Sequence, residues 1–208
     1  MTPNNLIARG HLIGGGLRSP DHQWFVLSVP KNASSYTTNV LIKNGWEHWN
    51  LSLGDVGRVI VPLRDPVERW VSGTATYCCS YLLVANYGSE HFCADYNELV
   101  ERLLVDNMIF DDHTTPQSVF VGFVPDSFEK TYVWVNRETF FDSMRSITGL
   151  DIIEHEGIYD NRKDSNDDIS RISDFLKERL NEKIVSQIKI KYSNDYNMIG
   201  SVAIHGKR

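Results

Sequence analysis

A lysine stands where a buried strand hands over to a helix. In "WFVLSVPKNASSYTTNVLIKNGW", residues 24–46, six residues read as a buried strand by their apolar run, then a short polar turn carries Lys31. A helix follows from Ser34 to about Asn44, with Gly45 placed to end it. The first N–H groups of a helix have no partner inside it and carry partial positive charge. An anion seated there collects several N–H donors at once. Lys31 adds a full charge, and the hydroxyls of Ser34, Ser35, Tyr36 and Thr37 add further donors. The plainer alternative is a lysine in a solvated turn with a serine cap. The turn is not a GxxxxGK[ST] loop, because its lysine comes first and glycines are absent.

A second cation follows a second strand. "RVIVPL" (58–63) ends at Arg64, and "RDPVERWVSG" opens a helix in which Asp65 is a suitable N-cap and Pro66 a suitable first residue. Ser72 lies eight residues beyond Arg64, about 12 Å of helical rise. The two converge on one anion only if the long guanidinium reaches along the helix, where it can grip phosphate in a planar fork. The alternative is that Arg64 pairs with Asp65 or Glu68. A kinase needs a magnesium carboxylate after a strand, and Asp65, between arginine and proline, is better used as a cap.

The elements that must position these groups alternate. Residues 1–22 read as an irregular arm, with "GGG" at 14–16 as a flexible hinge, and residues 23–208 read as one domain. After the two strands and their helices comes an amphipathic helix over 95–107 with Leu99, Leu103 and Leu104 on one face. "FDDHTTPQS" is a loop and "SVFVGFV" (118–124) a short strand. "TYVWV" (131–135) is a strand, and "ETFFDSMRSITG" is the helix after it. "YDNRKDSNDD" (159–168) is a polar loop, and two helices, 167–180 and 182–196, close the chain. This alternation predicts an α/β fold: one mostly parallel sheet flanked by helices on both faces. Ligands in such sheets bind at the carboxyl ends of the strands.

Composition narrows the partners. The chain has 208 residues, 41% hydrophobic and 23% charged, with a net charge of −6. That balance argues against nonspecific binding to nucleic acid or acidic membranes. The cysteines, Cys78, Cys79 and Cys93, make neither a disulfide framework nor a zinc pattern and read as core thiols of a reducing compartment. The absence of a long apolar run predicts no membrane segment.

The paired motifs resemble the sulfotransferases that use 3'-phosphoadenosine 5'-phosphosulfate (PAPS). "VPKNASSY" is similar to that family's 5'-phosphosulfate turn, and "LRDPVERWVSG", 33 residues on and in the same order, to its 3'-phosphate motif, including the arginine-to-serine spacing. "DDHTTPQS" resembles the HxxPQ element of Golgi-type carbohydrate sulfotransferases. "YDNRKDSND" resembles their late loop, and "YSNDYNMI" their Tyr-x-x-Asp-Tyr ending. The likeness spans about residues 24–199. It departs where Ser35 and Tyr36 replace a small residue and threonine, and where an anchor and stem are lacking.

The resemblance implies a P-loop-NTPase-like sulfotransferase fold and transfer of a sulfuryl group from PAPS to a hydroxyl, with a carbohydrate or other small molecule as acceptor. It implies that Lys31 and the turn Asn32, Ala33, Ser34, Ser35 and Tyr36 hold the phosphosulfate, with Lys31 stabilising the leaving oxygen. Arg64 and Ser72 would hold the 3'-phosphate, and Arg162 and Lys163 would cover the nucleotide. A solvated charge cluster is the alternative for those last two. No metal is implied, since lysine and the helix end can do what magnesium does for ATP. His113 is the first candidate for the proton acceptor, because imidazole is the side chain suited to proton transfer near neutral pH and the motif puts it beside the acceptor. His48 is second, and Asp111, Asp112 and Glu47 are carboxylate alternatives. Trp46 or Trp49 is a candidate to stack on a sugar. A cytoplasmic microbial or viral product, or a soluble catalytic domain without its anchor, is expected. A noncatalytic glycan- or partner-binding module and a nucleotide or small-molecule kinase are the competing functions.

Overall fold

The computed structural model describes residues 14–81, 109, 111–136, 138–154 and 167–206. In chain order the elements are β1 (Gly15–Arg18), β2 (Trp24–Leu27), α1 (Ser34–Lys43), β3 (Glu47–Asn50), β4 (Arg58–Leu63) and α2 (Pro66–Tyr81). Then come α3 (Gln117–Val121), β5 (Glu129–Trp134), α4 (Phe140–Thr148), α5 (Asp167–Glu178), α6 (Glu182–Lys191), α7 (Ser193–Ser201) and β6 (Ile204–His205). They build an α/β fold around one six-stranded sheet of order β3-β1-β2-β4-β5-β6. The β2/β4, β4/β5 and β5/β6 pairs are parallel, and β1 runs antiparallel to both its neighbours.

Alternating residues of the central strands feed two cores. Trp24, Val26, Ile60 and Val133 meet Val40 and Leu41 of α1 and Phe140, Phe141 and Met144 of α4 on one face. Phe25, Leu27, Val59, Val61 and Leu63 meet Phe120 and Val121 of α3, with Met198 and Ile199 of α7, on the other. A sheet covered on both faces can be apolar at every position, which is why these strands read as unbroken hydrophobic runs. A third cluster packs Trp70, Val71, Ala75 and Cys78 of α2 against Ile172, Leu176, Ile188 and Tyr192. Burial pushes the Cys78 thiol up to about 12, so it is a packing group rather than a nucleophile.

Three expectations are corrected. Residues 15–18, read as part of an irregular arm, form β1 inside the sheet, and the triple glycine is no hinge. A Cβ on Gly16 would lie 2.1 Å from the Val26 carbonyl oxygen and 2.5 Å from the Phe25 ring, so glycine is there for close approach. Residues 118–124, read as a strand, belong to α3 and its exit turn, because tertiary capping and burial of Phe120 override a short β-favouring run. The helix expected over 182–196 breaks at Tyr192, whose fully buried side chain is anchored elsewhere. The amphipathic helix expected over 95–107, Cys93 and most of the 159–168 loop lie outside the described residues. Among the described residues, no helix is long and apolar enough to cross a membrane.

Candidate functional site

The lysine turn leaves the carboxyl end of β2 in an unusual backbone. Lys31 (φ 67°) and Ala33 (φ 54°) both adopt the left-handed conformation, which costs a non-glycine residue about 1–2 kcal/mol. Strain of this kind persists only where surrounding contacts over-determine it. Here the contacts come from Asn32, which is buried between the two: its Nδ2 donates to Pro62 O at 2.7 Å and to Gln117 Oε1 at 2.8 Å. Pairing of β2 with β4 ends at Ile60, so the Asn32 amide continues the connection where the strands diverge. Ala33 is the N-cap of α1, among the described residues no side chain caps that end, and its first turn holds no acid. The first N–H groups of α1 are therefore not met by a side-chain cap or a first-turn carboxylate among the described residues.

The second motif joins the first directly. Asp65 Oδ1 accepts from Val67 N at 2.9 Å and Glu68 N at 3.2 Å, so it caps α2 as the sequence suggests. Arg64 Nη1 donates to the Lys31 carbonyl oxygen at 3.1 Å, while its Nε lies 3.5 Å from Glu68 Oε2. The guanidinium thus reaches across to the lysine turn and keeps a loose, exposed i,i+4 ion pair with Glu68, the pairing named as the alternative. The Lys31 ammonium turns onto α2 and donates to Thr76 Oγ1 at 2.7 Å, and that hydroxyl in turn donates to Ser72 O at 3.0 Å. Ser72 therefore stands one turn from where Lys31 docks.

The third motif sits on the same helix. A Cβ on Gly73 would fall 2.3 Å from the His113 carbonyl oxygen and 2.8 Å from its carbonyl carbon, so α2 and the 111–117 loop touch backbone to backbone there. Gly73 and Thr76 are three residues apart, about 4.5 Å of rise, which brings the Lys31 ammonium and the His113 segment onto one stretch of α2. Replacing Gly73 by alanine is expected to destabilise the protein by about 2 kcal/mol, because steric overlap outweighs the helix-propensity gain of about 1 kcal/mol. Urea unfolding checks this; a variant as stable as wild type would refute the close approach.

Buried polar groups lock that loop. Arg69, fully buried, donates through Nη1 to Thr115 O and through Nη2 to Asp112 O at 3.5 Å, with its guanidinium 5.9 Å from the Phe120 ring. Burial, opposed mainly by nearby Tyr192 and Asp195, pushes its pKa below the ordinary value. Tyr192 Oη donates to Thr114 O. Asp195 accepts from Gln117 N at 3.0 Å and Ser118 N at 2.8 Å, capping α3 from 78 residues away, since its own N-cap is Pro116, which makes no side-chain cap. Burial pushes the Asp195 carboxyl above its ordinary range, and the Ser118 hydrogen bonds oppose it. The Tyr-x-x-Asp ending and the DDHTTPQ loop are therefore one physical unit.

Gln117 closes the circuit. Its Oε1 accepts from Asn32 Nδ2 and from Arg64 N at 3.2 Å, and its Nε2 donates to Arg64 O at 2.8 Å. One buried amide thus holds the lysine turn, the Arg64 strand end and the histidine loop in register.

The remaining candidates separate. Tyr36 Oη donates to Glu154 Oε2 at 3.0 Å and its ring packs edge-on to Phe141 at 5.5 Å, so its contribution to the turn is its backbone N–H. Ser35 is exposed and Ser34 half-buried. His48 and Glu47 lie on β3, separated from β2 by β1, and Glu47 is engaged by Arg18 Nε at 3.0 Å, so neither joins the lysine turn. Trp46 is buried in the core, and Trp49 stacks under the Arg18 guanidinium at 3.5 Å, which leaves neither as an open sugar platform. Arg162 and Lys163 lie outside the described residues. Sequence reading missed Arg69, Gln117 and Asp195 as site-builders, although all three stand inside the quoted motifs. No family model matches the chain, and neither a curated protein nor a solved structure matches it.

Proposed function

We propose that the chain is a PAPS-dependent sulfotransferase that acts on a hydroxyl, of a carbohydrate by preference, on a sulfotransferase-type variant of its α/β fold. The observation that carries this reading is the Arg64 guanidinium on the Lys31 carbonyl, which joins two cationic motifs at the carboxyl ends of adjacent parallel strands. The packing of the His113 loop on the same helix supports it, because the Lys31 ammonium and the His113 backbone then meet one stretch of α2.

In this reading PAPS supplies the sulfuryl group. The Lys31 ammonium, drawn off Thr76, and the α1 amides take up negative charge as the sulfur–oxygen bond to phosphate breaks. Arg64 and Ser72 grip the 3'-phosphate, and Arg162 and Lys163 are proposed to cover it. His113 accepts the proton of the acceptor hydroxyl as its oxygen bonds to sulfur. A kinase reading gains no support from Asp65, which is spent on capping.

Thermal shift tests the proposal. The product nucleotide 3'-phosphoadenosine 5'-phosphate is expected to stabilise the protein more than AMP does. Arg64→Ala is expected to abolish that difference. Equal responses in wild type would remove the role given to Arg64 and Ser72. Labelled PAPS offered with a glycan panel then tests transfer, and neither product nor donor hydrolysis would refute it.

A further inference from the structure

We infer that Asp111 is a positioning residue that fixes the His113 tautomer, so that Nε2 is the atom that takes the proton. This rests on the sulfotransferase reading for its role in transfer, but its geometry stands apart from it. Asp111 is fully buried, and its Oδ2 lies 2.7 Å from His113 Nδ1. Asp112 Oδ1 flanks the same nitrogen at 3.3 Å. A neutral imidazole placed against carboxylates carries its proton on the nitrogen that faces them, which leaves the other nitrogen as the acceptor. The His113 side chain keeps about a fifth of its surface exposed, whereas Asp111 is closed to solvent.

The aspartate is itself held from behind. Thr114 N donates to Asp111 Oδ1 at 3.1 Å, and Thr115 Oγ1 donates to Asp111 O at 2.8 Å. The two carboxylate oxygens therefore have separate tasks: Oδ1 closes the turn and Oδ2 orients the ring. Gly73 lets α2 approach the His113 backbone, and Arg69 pins the Asp112 and Thr115 carbonyls, so the ring starts from an immobile base.

This division of labour makes Asp111→Asn a sharp test. The asparagine oxygen must stay on Thr114 N, which turns its NH2 toward His113 Nδ1. Asp112 Oδ1 also flanks that nitrogen, so Asp112→Asn is added to remove the second carboxylate; in the double variant the nitrogen must accept and the proton moves to Nε2. Long-range 1H–15N spectra of the uniformly labelled full chain, at alkaline pH where imidazoles are neutral, read the tautomer directly. His113→Gln identifies the signals. Wild type and Asp112→Asn are expected in the Nδ1–H form, and the Asp111→Asn/Asp112→Asn double variant in the Nε2–H form. Transfer should fall about 10²–10⁴-fold in kcat, with the response to 3'-phosphoadenosine 5'-phosphate unchanged.

An Nε2–H wild type overturns the inference without any variant, and so does an Asp111→Asn/Asp112→Asn protein with wild-type tautomer and rate. A wild type in the Nδ1–H form that transfers nothing from PAPS upholds the Asp111–His113 pairing and removes the sulfotransferase reading instead. Stoichiometric displacement of the His113 signals by added zinc also overturns it. The Asp111, Asp112 and His113 ligand atoms lie within 4.8 Å of one another, and they would then serve a cation.

Discussion

Replacing Lys31 by alanine is expected to lower the rate of the proposed sulfuryl transfer about 10³-fold, or about 4 kcal/mol. The folded protein should stay within about 1 kcal/mol of wild type. In the proposed reaction the rate loss follows from charge: Lys31 is the cation of the turn itself, and the leaving phosphate would gain charge as the bond breaks. The small stability change follows from the half-buried setting of the side chain, whose hydrogen bond to the Thr76 hydroxyl is of a kind worth about 1 kcal/mol. The strained backbone survives the change, because the Lys31 carbonyl still accepts from Arg64 and Asn32 still anchors to Pro62 and Gln117. The loss should fall on kcat more than on KM, since the charge is needed chiefly in the transition state. A glycan-binding module would tolerate the substitution, so wild-type glycan binding without any transfer in either protein would favour that function.

Asp195→Ala is expected to cost about 3 kcal/mol of stability and to disconnect the site. Its carboxylate satisfies the first two N–H groups of α3, and removing it strands two donors at about 1–3 kcal/mol each, less the relief of burying a charge. Once α3 loosens, Gln117 loses its position, and with it go the tethers on Asn32 and Arg64. Stabilisation by the proposed nucleotide should therefore shrink although Asp195 itself is fully buried. The pH dependence has a definite sign. Burial raises the folded-state pKa above the unfolded one, so the folded form holds its proton more tightly. That part of the stability is full below the ordinary carboxyl range and is lost as pH rises through the folded value. The deficit of the alanine variant is thus larger at acid than at neutral pH. Chemical denaturation at several pH values measures both effects, and a variant as stable as wild type with intact nucleotide response would eliminate the capping role.

Much of the frame was legible because local chemistry dictates it. The β4 strand is Arg58–Leu63, as its apolar run implies, and α1 and α2 begin where the Lys31 turn and the Asp65-Pro66 cap predict. The short strands β1, β3 and β6 were not legible. A four-residue strand holding two glycines, or Glu-His-Trp-Asn at a sheet edge, has no periodic signal, and only pairing with neighbours makes it a strand. The α3 helix was misread because its cap lies at Asp195, beyond the reach of any local rule.

The same division runs through the site. Residue types and spacing alone determined that two cations follow two strands, and that a histidine and a glutamine share one loop, because strand ends and helix starts are set within a few residues of chain. Only the tertiary structure decided that Arg64 grips the Lys31 carbonyl, that Gln117 ties three motifs together, and that Asp111 aims His113 while Asp112 flanks it. These are contacts between distant segments, or choices between adjacent side chains, and both depend on how the sheet and α2 bring the segments into register rather than on any property of the segments themselves.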